Sequence, residues 1–201
     1  MENISNPDLI FNVAQLLKEH VGATRRLTIE SPSLTLYYED TDEGDGGEVE
    51  ARDLTGSAKA TRVGEGLLVQ GDVEANVQLQ CSRCLEDISV PVEASLEEQF
   101  EPTVDVETGR SVKKDDDIED DTVFTIDPNH MMDLTEPVRQ ALLVAIPMRP
   151  LCKVDCKGLC VVCGADLNDT DCGHTQEAPD ARWEGLKALN IADFPVEKNA
   201  N

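Results

Sequence analysis

The seven cysteines of this 201-residue chain are confined to two short stretches. Two of them form the motif CSRC, five more follow in a dense run near the C-terminus, and a histidine lies just beyond that run. Thiolates spaced by two or three residues can converge on one metal ion from a tight turn, and an imidazole can complete the coordination. The sequence therefore predicts bound metal, with enough potential ligands for two tetrahedral sites: Cys81, Cys84, Cys152, Cys156, Cys160, Cys163, Cys172 and His174.

The spacing of these ligands favours one division between two sites. One set follows at zinc-knuckle-like intervals and consists of Cys160, Cys163, Cys172 and His174. The remaining four cysteines could form a second site that pins two distant parts of the chain together. The pairing stays open, because Cys156 could replace Cys172 or His174, and the CSRC pair could remain without metal. Soft thiolates favour zinc or an iron–sulfur cluster over hard cations, and the histidine suits zinc better.

A redox dithiol is the enzyme-like alternative for Cys81 and Cys84. Thioredoxin-type chemistry places the first cysteine at a helix N-terminus, which lowers its pKa. Alternating residues on both sides of CSRC instead place this pair at the tip of a predicted β-hairpin, which lacks that dipole. A catalytic zinc site needs an open water position and a nearby acid or base, and spacing singles out no carboxylate for that role. We therefore expect a protein that is not an enzyme. His20 and His130 stand alone and are interpreted as surface or capping residues.

The charge of the chain constrains its partners. The 41 acidic and 17 basic residues give a formal net charge of -24, which repels phosphate backbones. Binding to DNA is therefore not expected, whereas basic partners suit such a surface, as does a simple role in solubility. Three basic residues beside the cysteines, Arg83, Lys153 and Lys157, are a candidate local contact for RNA, or they compensate the charge of the thiolates.

The start of the chain carries acids and a proline instead of an apolar signal segment, and no apolar run approaches the roughly 20 residues that span a bilayer. We therefore expect a cytoplasmic protein without a membrane partner. In a reducing compartment, clustered cysteines are more often metal ligands or redox centres than structural disulfides. Aromatic residues make up only 3% of the chain, so the core is predicted to consist mainly of Val, Leu, Ile and Ala.

Alternating apolar and polar residues flank the CSRC motif and give the clearest secondary-structure signal. Residues 73–81 and 88–97 both alternate with the two-residue period of a half-buried strand. The two strands predict a β-hairpin with the thiols at its tip. Pro91 cannot donate to a ladder, so the second strand is predicted to be an edge or to pair on one side only there.

Other segments give weaker signals. Residues 34–40 read as a strand, whereas residues 11–30 could be a strand or a short helix. A helix is predicted to begin near Thr135, with the threonine as its N-cap, and to end before Pro147 and Pro150. A short amphipathic helix is predicted over residues 179–190, with Trp183 as a packing anchor.

These elements predict an α+β fold in two parts. Residues 1–150 are expected to form a β-rich, antiparallel domain with acidic loops near 39–50 and 103–122. Residues 151–201 are expected to form a cysteine-rich, metal-binding module that ends in the short terminal helix.

Four segments together resemble the YceD family of large ribosomal RNA subunit accumulation proteins: CSRCLEDISVPVEASLEEQF (81–100), LLVAIPMRPLC (142–152), DCKGLCVVCGADLN (155–168) and ARWEGLKAL (181–189). Many relatives carry a final Cys-x-Cys where this chain has Cys172 and His174, a change that retains metal-binding capacity. The resemblance implies a ribosome-biogenesis factor needed for the synthesis, processing or accumulation of large-subunit (23S) ribosomal RNA. It implies ribosomal proteins or rRNA-processing factors as partners, with the small basic patch as a candidate contact for pre-ribosomal RNA.

Overall fold

The structure of the protein, a computed structural model, describes residues 5–38, 46–64, 66–106, 108–111 and 124–174. Its strands are β1 (Ile10–Asn12), β2 (Thr24–Tyr38), β3 (Gly47–Val63), β4 (Gly66–Gln80), β5 (Asp87–Pro102), β6 (Phe124–Ile126) and β7 (Met131–Asp133). Its helices are α1 (Ala14–Lys18) and α2 (Thr135–Ala145), and a 3-10 turn over Pro7–Leu9 precedes β1. The chain is thus mostly β-sheet with few helices, in agreement with the coarse class predicted from the sequence.

The seven strands form one sheet in the order β1-β7-β6-β5-β4-β3-β2. The four long strands β2 to β5 pair antiparallel with their sequence neighbours, whereas β6 pairs parallel to the end of β5. Helix α2 packs against both β2 and β5, the first and last of the four long strands. The last residues of α2, Val144 and Ala145, lie beside the middle of β5.

The hairpin predicted around the CSRC motif is confirmed. Strand β4 ends just before Cys81, β5 begins at Asp87, and the two strands pair antiparallel over their whole lengths. Alternate residues of β5 between Val92 and Leu96 are buried and their neighbours are exposed, as a half-buried strand requires. Pro91 pairs with Asn76 of β4, and the described residues place no strand on its other side.

The core beneath the sheet is built almost entirely from aliphatic side chains, as the scarcity of aromatic residues predicted. Phe100 of β5 is the fully buried aromatic residue of the described core, and its ring stacks on Phe124 of β6 with centroids 5.5 Å apart. Such a pair adds about 0.5–1.5 kcal/mol beyond the burial of its area. The contact lies where β6 joins the sheet, so it holds the parallel pair together.

Helix α2 begins at Thr135 and ends at Ala145, before the two prolines. The prediction that Thr135 is its N-cap is wrong, because that position is occupied by Leu134 without a side-chain cap. The carboxylate of Asp133 instead accepts the backbone N–H of Thr135 at 2.8 Å. The hydroxyl of Thr135 accepts the backbone N–H of Asn6 at 2.9 Å, so the threonine is used to attach the N-terminal segment.

The segment over residues 11–30 contains both of the structures considered for it, because α1 lies in its middle and β2 begins at Thr24. The strand predicted at residues 34–40 is the end of β2 as far as Tyr38. The predicted terminal helix with Trp183 lies outside the described residues, as do most of the two acidic loops. None of the described helices is long and apolar enough to cross a membrane.

The division into two parts at residue 150 stays a prediction. The backbone N–H of Ser82 donates to the carbonyl of Pro150 at 2.8 Å, which ties the hairpin tip directly to the segment that follows α2.

Candidate metal centres

The eight predicted ligands lie in two groups of four. Cys81, Cys84, Cys152 and Cys156 form the hairpin cluster, and Cys160, Cys163, Cys172 and His174 form the terminal cluster. Within each group the four ligand atoms all lie within 4.8 Å of one another. These are the sets that the spacing favoured, with Cys156 in the hairpin cluster. That the eight residues are metal ligands stays a prediction, but each group could hold an ion.

A tight turn at the end of β4 positions the first half of the hairpin cluster. The N–H of Leu85 donates to the carbonyl of Cys81 at 3.0 Å, and the N–H of Cys81 donates to the carbonyl of Glu86 at 2.8 Å. Leu85 has a φ of 62°, the left-handed conformation that reverses the chain after the second cysteine. Both thiols of the turn are thereby directed to the same side, where Cys81 is fully buried.

The second half of the hairpin cluster comes from the chain after α2. The Sγ of Cys156 lies 3.8 Å from that of Cys81, and the Sγ of Cys152 lies 3.6 Å from that of Cys84. Sulfur atoms bound tetrahedrally at about 2.3 Å from one zinc ion lie about 3.8 Å apart, whereas a disulfide is about 2.05 Å long. The spacing therefore fits four thiolates around an ion.

Arg83 connects the CSRC turn to the chain after α2 through hydrogen bonds that do not involve the thiols. Its guanidinium donates to the carbonyl of Cys156 at 2.7 Å, and its own carbonyl accepts the N–H of Leu159 at 3.1 Å. Gly158 lies against it with a φ of 75°, and a Cβ added there would meet the carbonyl oxygen of Arg83 at 3.0 Å. A glycine is thus favoured both by the backbone conformation and by the close approach.

The terminal cluster repeats the geometry of the hairpin turn. The N–H of Gly164 donates to the carbonyl of Cys160, and the N–H of Cys160 donates to the carbonyl of Ala165, both at 2.8 Å. Gly164 takes the left-handed conformation with a φ of 72° at the position that corresponds to Leu85. The Nδ1 of His174 lies 3.9 Å from the Sγ of Cys160, so the histidine reaches the same centre.

Asn168 lies between Cys163 and Cys172 in sequence and contacts the hairpin cluster, and the sequence reasoning did not single it out. Its side-chain NH₂ donates to the Sγ of Cys156 at 3.4 Å, and its side-chain oxygen accepts the N–H of Lys157 at 3.0 Å. The carboxylate of Asp166 accepts both the backbone N–H and the side-chain NH₂ of Asn168 at 2.8 Å. Its place in the segment DCKGLCVVCGADLN, a few residues after three thiols, was the signal that could have identified it. Partners that orient a ligand in this way tune its metal affinity.

Backbone donors favour the charged form of one thiol in each cluster. The N–H groups of Cys84 and Arg83 lower the pKa of Cys81 to about 6, although burial opposes the shift. The N–H groups of Cys163 and Val162 similarly lower the pKa of Cys160 to about 6. These turns therefore stabilise thiolates, which are the form that binds metal.

The other thiols of the hairpin cluster respond to this charge in different ways. Burial and the neighbouring thiols Cys156, Cys84 and Cys81 raise the pKa of Cys152, because a second negative charge beside them is unfavourable. The side-chain NH₂ of Asn168 lowers the pKa of Cys156. Four thiols this close can all be ionised only if a cation compensates them, which is a property of metal-binding thiol sites.

The remaining residues singled out in the sequence lie elsewhere. His20 lies in the exposed turn after α1, and His130 lies half-buried in the turn between β6 and β7, so neither joins a cluster. Of the three basic residues, Arg83 is engaged by the carbonyl of Cys156, whereas Lys153 and Lys157 are exposed beside the hairpin cluster.

Comparison with known proteins agrees with the resemblance. Residues 69–190, more than half of the chain, match the family described as "Large ribosomal RNA subunit accumulation protein YceD". Uncharacterized proteins of Mycobacterium tuberculosis and Mycobacterium bovis are each 35% identical over 132 residues, which cover 62% of this chain and 56% of the relative. An uncharacterized protein of Mycobacterium leprae is 30% identical over 133 residues, which cover 66% of this chain and 57% of the relative.

The chain thus spans little more than half the length of these relatives. No solved structure matches it. The family's name ties its members to the accumulation of large-subunit ribosomal RNA, and the matched residues include the hairpin turn and all eight residues of the two clusters. On this match, the chain belongs to the YceD family.

Proposed function

We propose that this protein is a zinc-stabilised binding protein of the cytoplasm that supports the synthesis, processing or accumulation of large-subunit (23S) ribosomal RNA and catalyses no reaction. The family's name supplies the connection to ribosomal RNA. The observation that carries the rest is the pair of four-ligand clusters, one of which joins the hairpin tip to the chain after α2.

The donor sets support zinc as the metal. Four thiolates in the hairpin cluster, and three thiolates with an imidazole in the terminal cluster, are ligand sets of structural zinc sites. The sulfur distances of 3.6 and 3.8 Å fit tetrahedral zinc–thiolate geometry. With four protein ligands in each site, no position stays open for a water or a substrate, which favours structural over catalytic metal.

An ion in the hairpin cluster would stabilise the fold more than one in the terminal cluster, because it would close a longer loop. Cys81 and Cys156 are 75 residues apart in sequence, so an ion shared between them closes a long loop. Closing such a loop restricts the unfolded chain strongly. Zinc bound there would hold the sheet and the C-terminal segment in one arrangement for a partner to recognise.

The charge of the chain supports a basic protein as the partner. A net charge of -24 is attractive to ribosomal proteins or basic rRNA-processing factors and repels RNA across any broad surface. Pre-ribosomal RNA would find cations only in a small area beside the hairpin cluster, where Lys153 and Lys157 are exposed. RNA contact is therefore proposed only as a local supplement to protein binding.

The thiol-redox alternative remains a competing prediction for Cys81 and Cys84. The low pKa of Cys81 suits a reactive thiolate, but it suits a zinc ligand equally well. Metal binding accounts for all four neighbouring thiols, because Cys152 and Cys156 lie beside Cys84 and Cys81 and a redox pair would need only two. A redox pair would be oxidised reversibly without metal, whereas a zinc site would protect its thiols.

The proposal is tested on protein purified without chelators and in cells that lack the gene. We expect two zinc ions per chain, thiols that react only after chelation, and a lowered ratio of 23S to 16S ribosomal RNA that the wild-type gene restores. A chain with seven reactive thiols and no metal would refute the zinc scaffold. An unchanged 23S level in the deletion cells would refute the role in ribosomal RNA accumulation.

A further inference from the structure

Strand β5 has a long edge without a strand partner. It pairs with β4 from Asp87 to Phe100, but on its other side β6 pairs only with Phe100–Pro102. Among the described residues, the edge from Asp87 to Gln99 therefore carries no neighbouring strand. In an antiparallel ladder every second residue directs its N–H and C=O away from its partner, so this edge offers a row of backbone donors and acceptors.

A groove runs between this edge and helix α2. Its volume is about 380 Å³, and β5 contributes residues 93–96 and Glu98 to its wall. The helix contributes Gln140, Ala141, Val144 and Ala145, whose mostly small side chains leave the space beside the strand open. Val144 is 87% exposed, so its apolar side chain is open to a partner that enters the groove.

The charge of the groove is negative. The carboxylates of two of its lining residues, Glu93 and Glu98, make no ion pair or hydrogen bond with any described side chain. Neither β4 nor β5 contains a lysine or an arginine, while together they carry Asp72, Glu74, Asp87, Glu93, Glu97, Glu98 and Glu101. The edge thus lies in a part of the sheet where acids are not neutralised by neighbours on their own strands.

Glu98 is placed unusually within this strand. It lies on the face of β5 that buries Val92, Ala94 and Leu96, and it pairs in register with Val69, which is fully buried. An acidic side chain turned inward at a sheet edge discourages an apolar strand from adding there, because the charge would be buried without a partner. A segment that brings a lysine or arginine removes that penalty, so the same residue selects a basic one.

We propose that the groove between β5 and α2 binds an extended, lysine- and arginine-rich segment of a partner protein, which adds to β5 as a further strand. Backbone hydrogen bonds to the free edge would supply affinity, and ion pairs with Glu93 and Glu98 would supply selectivity. This inference rests on the proposed function only for the class of partner, since unfolded basic segments are a feature of proteins that bind ribosomal RNA.

Charge argues against the other occupants. A second copy of this chain would bring another net charge of -24 to an acidic edge, and RNA would meet the same repulsion. An apolar strand would leave Glu98 buried and unpaired.

The test uses the purified 201-residue chain and a synthetic peptide of about ten lysine and valine residues. Its lysines are placed at both odd and even positions, because Glu93 and Glu98 lie on opposite faces of β5. We expect the peptide to bind and to protect backbone amides of β5 between Val92 and Gln99 from hydrogen exchange. The double variant E93Q/E98Q is expected to bind about tenfold more weakly. The matched control E30Q/E48Q removes the same charge from exposed positions on β2 and β3 and should bind as the wild type does.

A second peptide, N-methylated at alternate residues, separates strand addition from general charge attraction, because it keeps every lysine but cannot complete the ladder. It should not bind the groove. The proposal would be overturned if both peptides bound equally well or if the two double variants weakened binding equally. It would also be overturned if β5 were protected by association of two copies of the chain and not by the peptide. Metal content and 23S levels are measured independently of peptide binding. A failure of the peptide to bind would therefore leave the proposed function intact, and a failure of the zinc or 23S test would leave the groove proposal intact.

Discussion

The two clusters share one chelating turn but differ in what surrounds it. In the hairpin cluster three of the four thiols are buried, and its members come from two segments separated by 68 to 75 residues. In the terminal cluster Cys163 and His174 are exposed, and all four members lie within 15 residues. With metal bound, the same local geometry would serve a long-range cross-link in one place and a local fold in the other.

The largest expected effect is the loss of stability when a ligand of the hairpin cluster is removed. Cys81→Ser removes one ligand from the hairpin cluster and frees the ends of a long loop, so we expect one equivalent of zinc to be lost. The melting temperature should fall by an amount on the order of 10 °C. Metal analysis and thermal unfolding followed by circular dichroism measure both effects.

A smaller effect on the whole molecule is expected from the matching change in the terminal cluster. Cys160→Ser should also release one equivalent of metal, but its loop is short, so the sheet should melt within a few degrees of the wild type. Hydrogen exchange should show lost protection confined to residues 158–174. If C160S and C81S lowered the melting temperature equally, the distinction between a cross-link and a local fold would be wrong.

Asn168→Ala tests whether a side chain from the loop of the terminal cluster supports the hairpin cluster. The variant loses the donor to the Sγ of Cys156 and the acceptor for the N–H of Lys157, while every ligand is retained. We expect the zinc affinity of the hairpin cluster to fall by about 10- to 100-fold, as measured by competition with a coloured chelator. Asn129→Ala, in the turn between β6 and β7, is a control that should leave both affinities unchanged.

The smallest expected effect is on the free energy of unfolding when either of two glycines is replaced by alanine. Gly158→Ala places a side chain both in a left-handed backbone and against Arg83, whereas Gly164→Ala meets only the backbone penalty, since nothing lies within 4 Å of its added Cβ. We expect the free energy of unfolding in urea to fall by about 1 kcal/mol for G164A and by about 2 kcal/mol or more for G158A. A larger loss for G164A would show that the contact with Arg83 is unimportant.

The sequence predicted those parts of the fold whose signal is local. Alternation on either side of the CSRC motif located β4 and β5, and helical spacing before Pro147 located α2. The three-residue strands β1, β6 and β7 are too short for a period to be recognised. The parallel pairing of β6 with β5 depends on packing such as the stack of Phe100 on Phe124, which no local pattern encodes.

For the candidate site, too, only the features with a local sequence signal were predictable. Spacing singled out the eight candidate ligands and favoured the division in which the structure groups them, because two-residue intervals between thiols produce a tight turn by themselves. The roles of Arg83 and Asn168 were not predictable, since both depend on contacts made by chain segments that meet only in the folded protein. The residue that caps α2 was misassigned because Thr135 has a competing partner in Asn6.

The distance in sequence between the halves of the hairpin cluster also has a consequence for synthesis. Cys84 leaves the ribosome 68 residues before Cys152, which at about 5–20 residues per second is an interval of roughly 3 to 14 s. During that interval the nascent hairpin presents two thiols that have not met their partners. If the hairpin cluster binds zinc as proposed, the supply of metal and the reducing state of the cell would act on this protein while it is still being made, before its sheet is joined to its C-terminal segment.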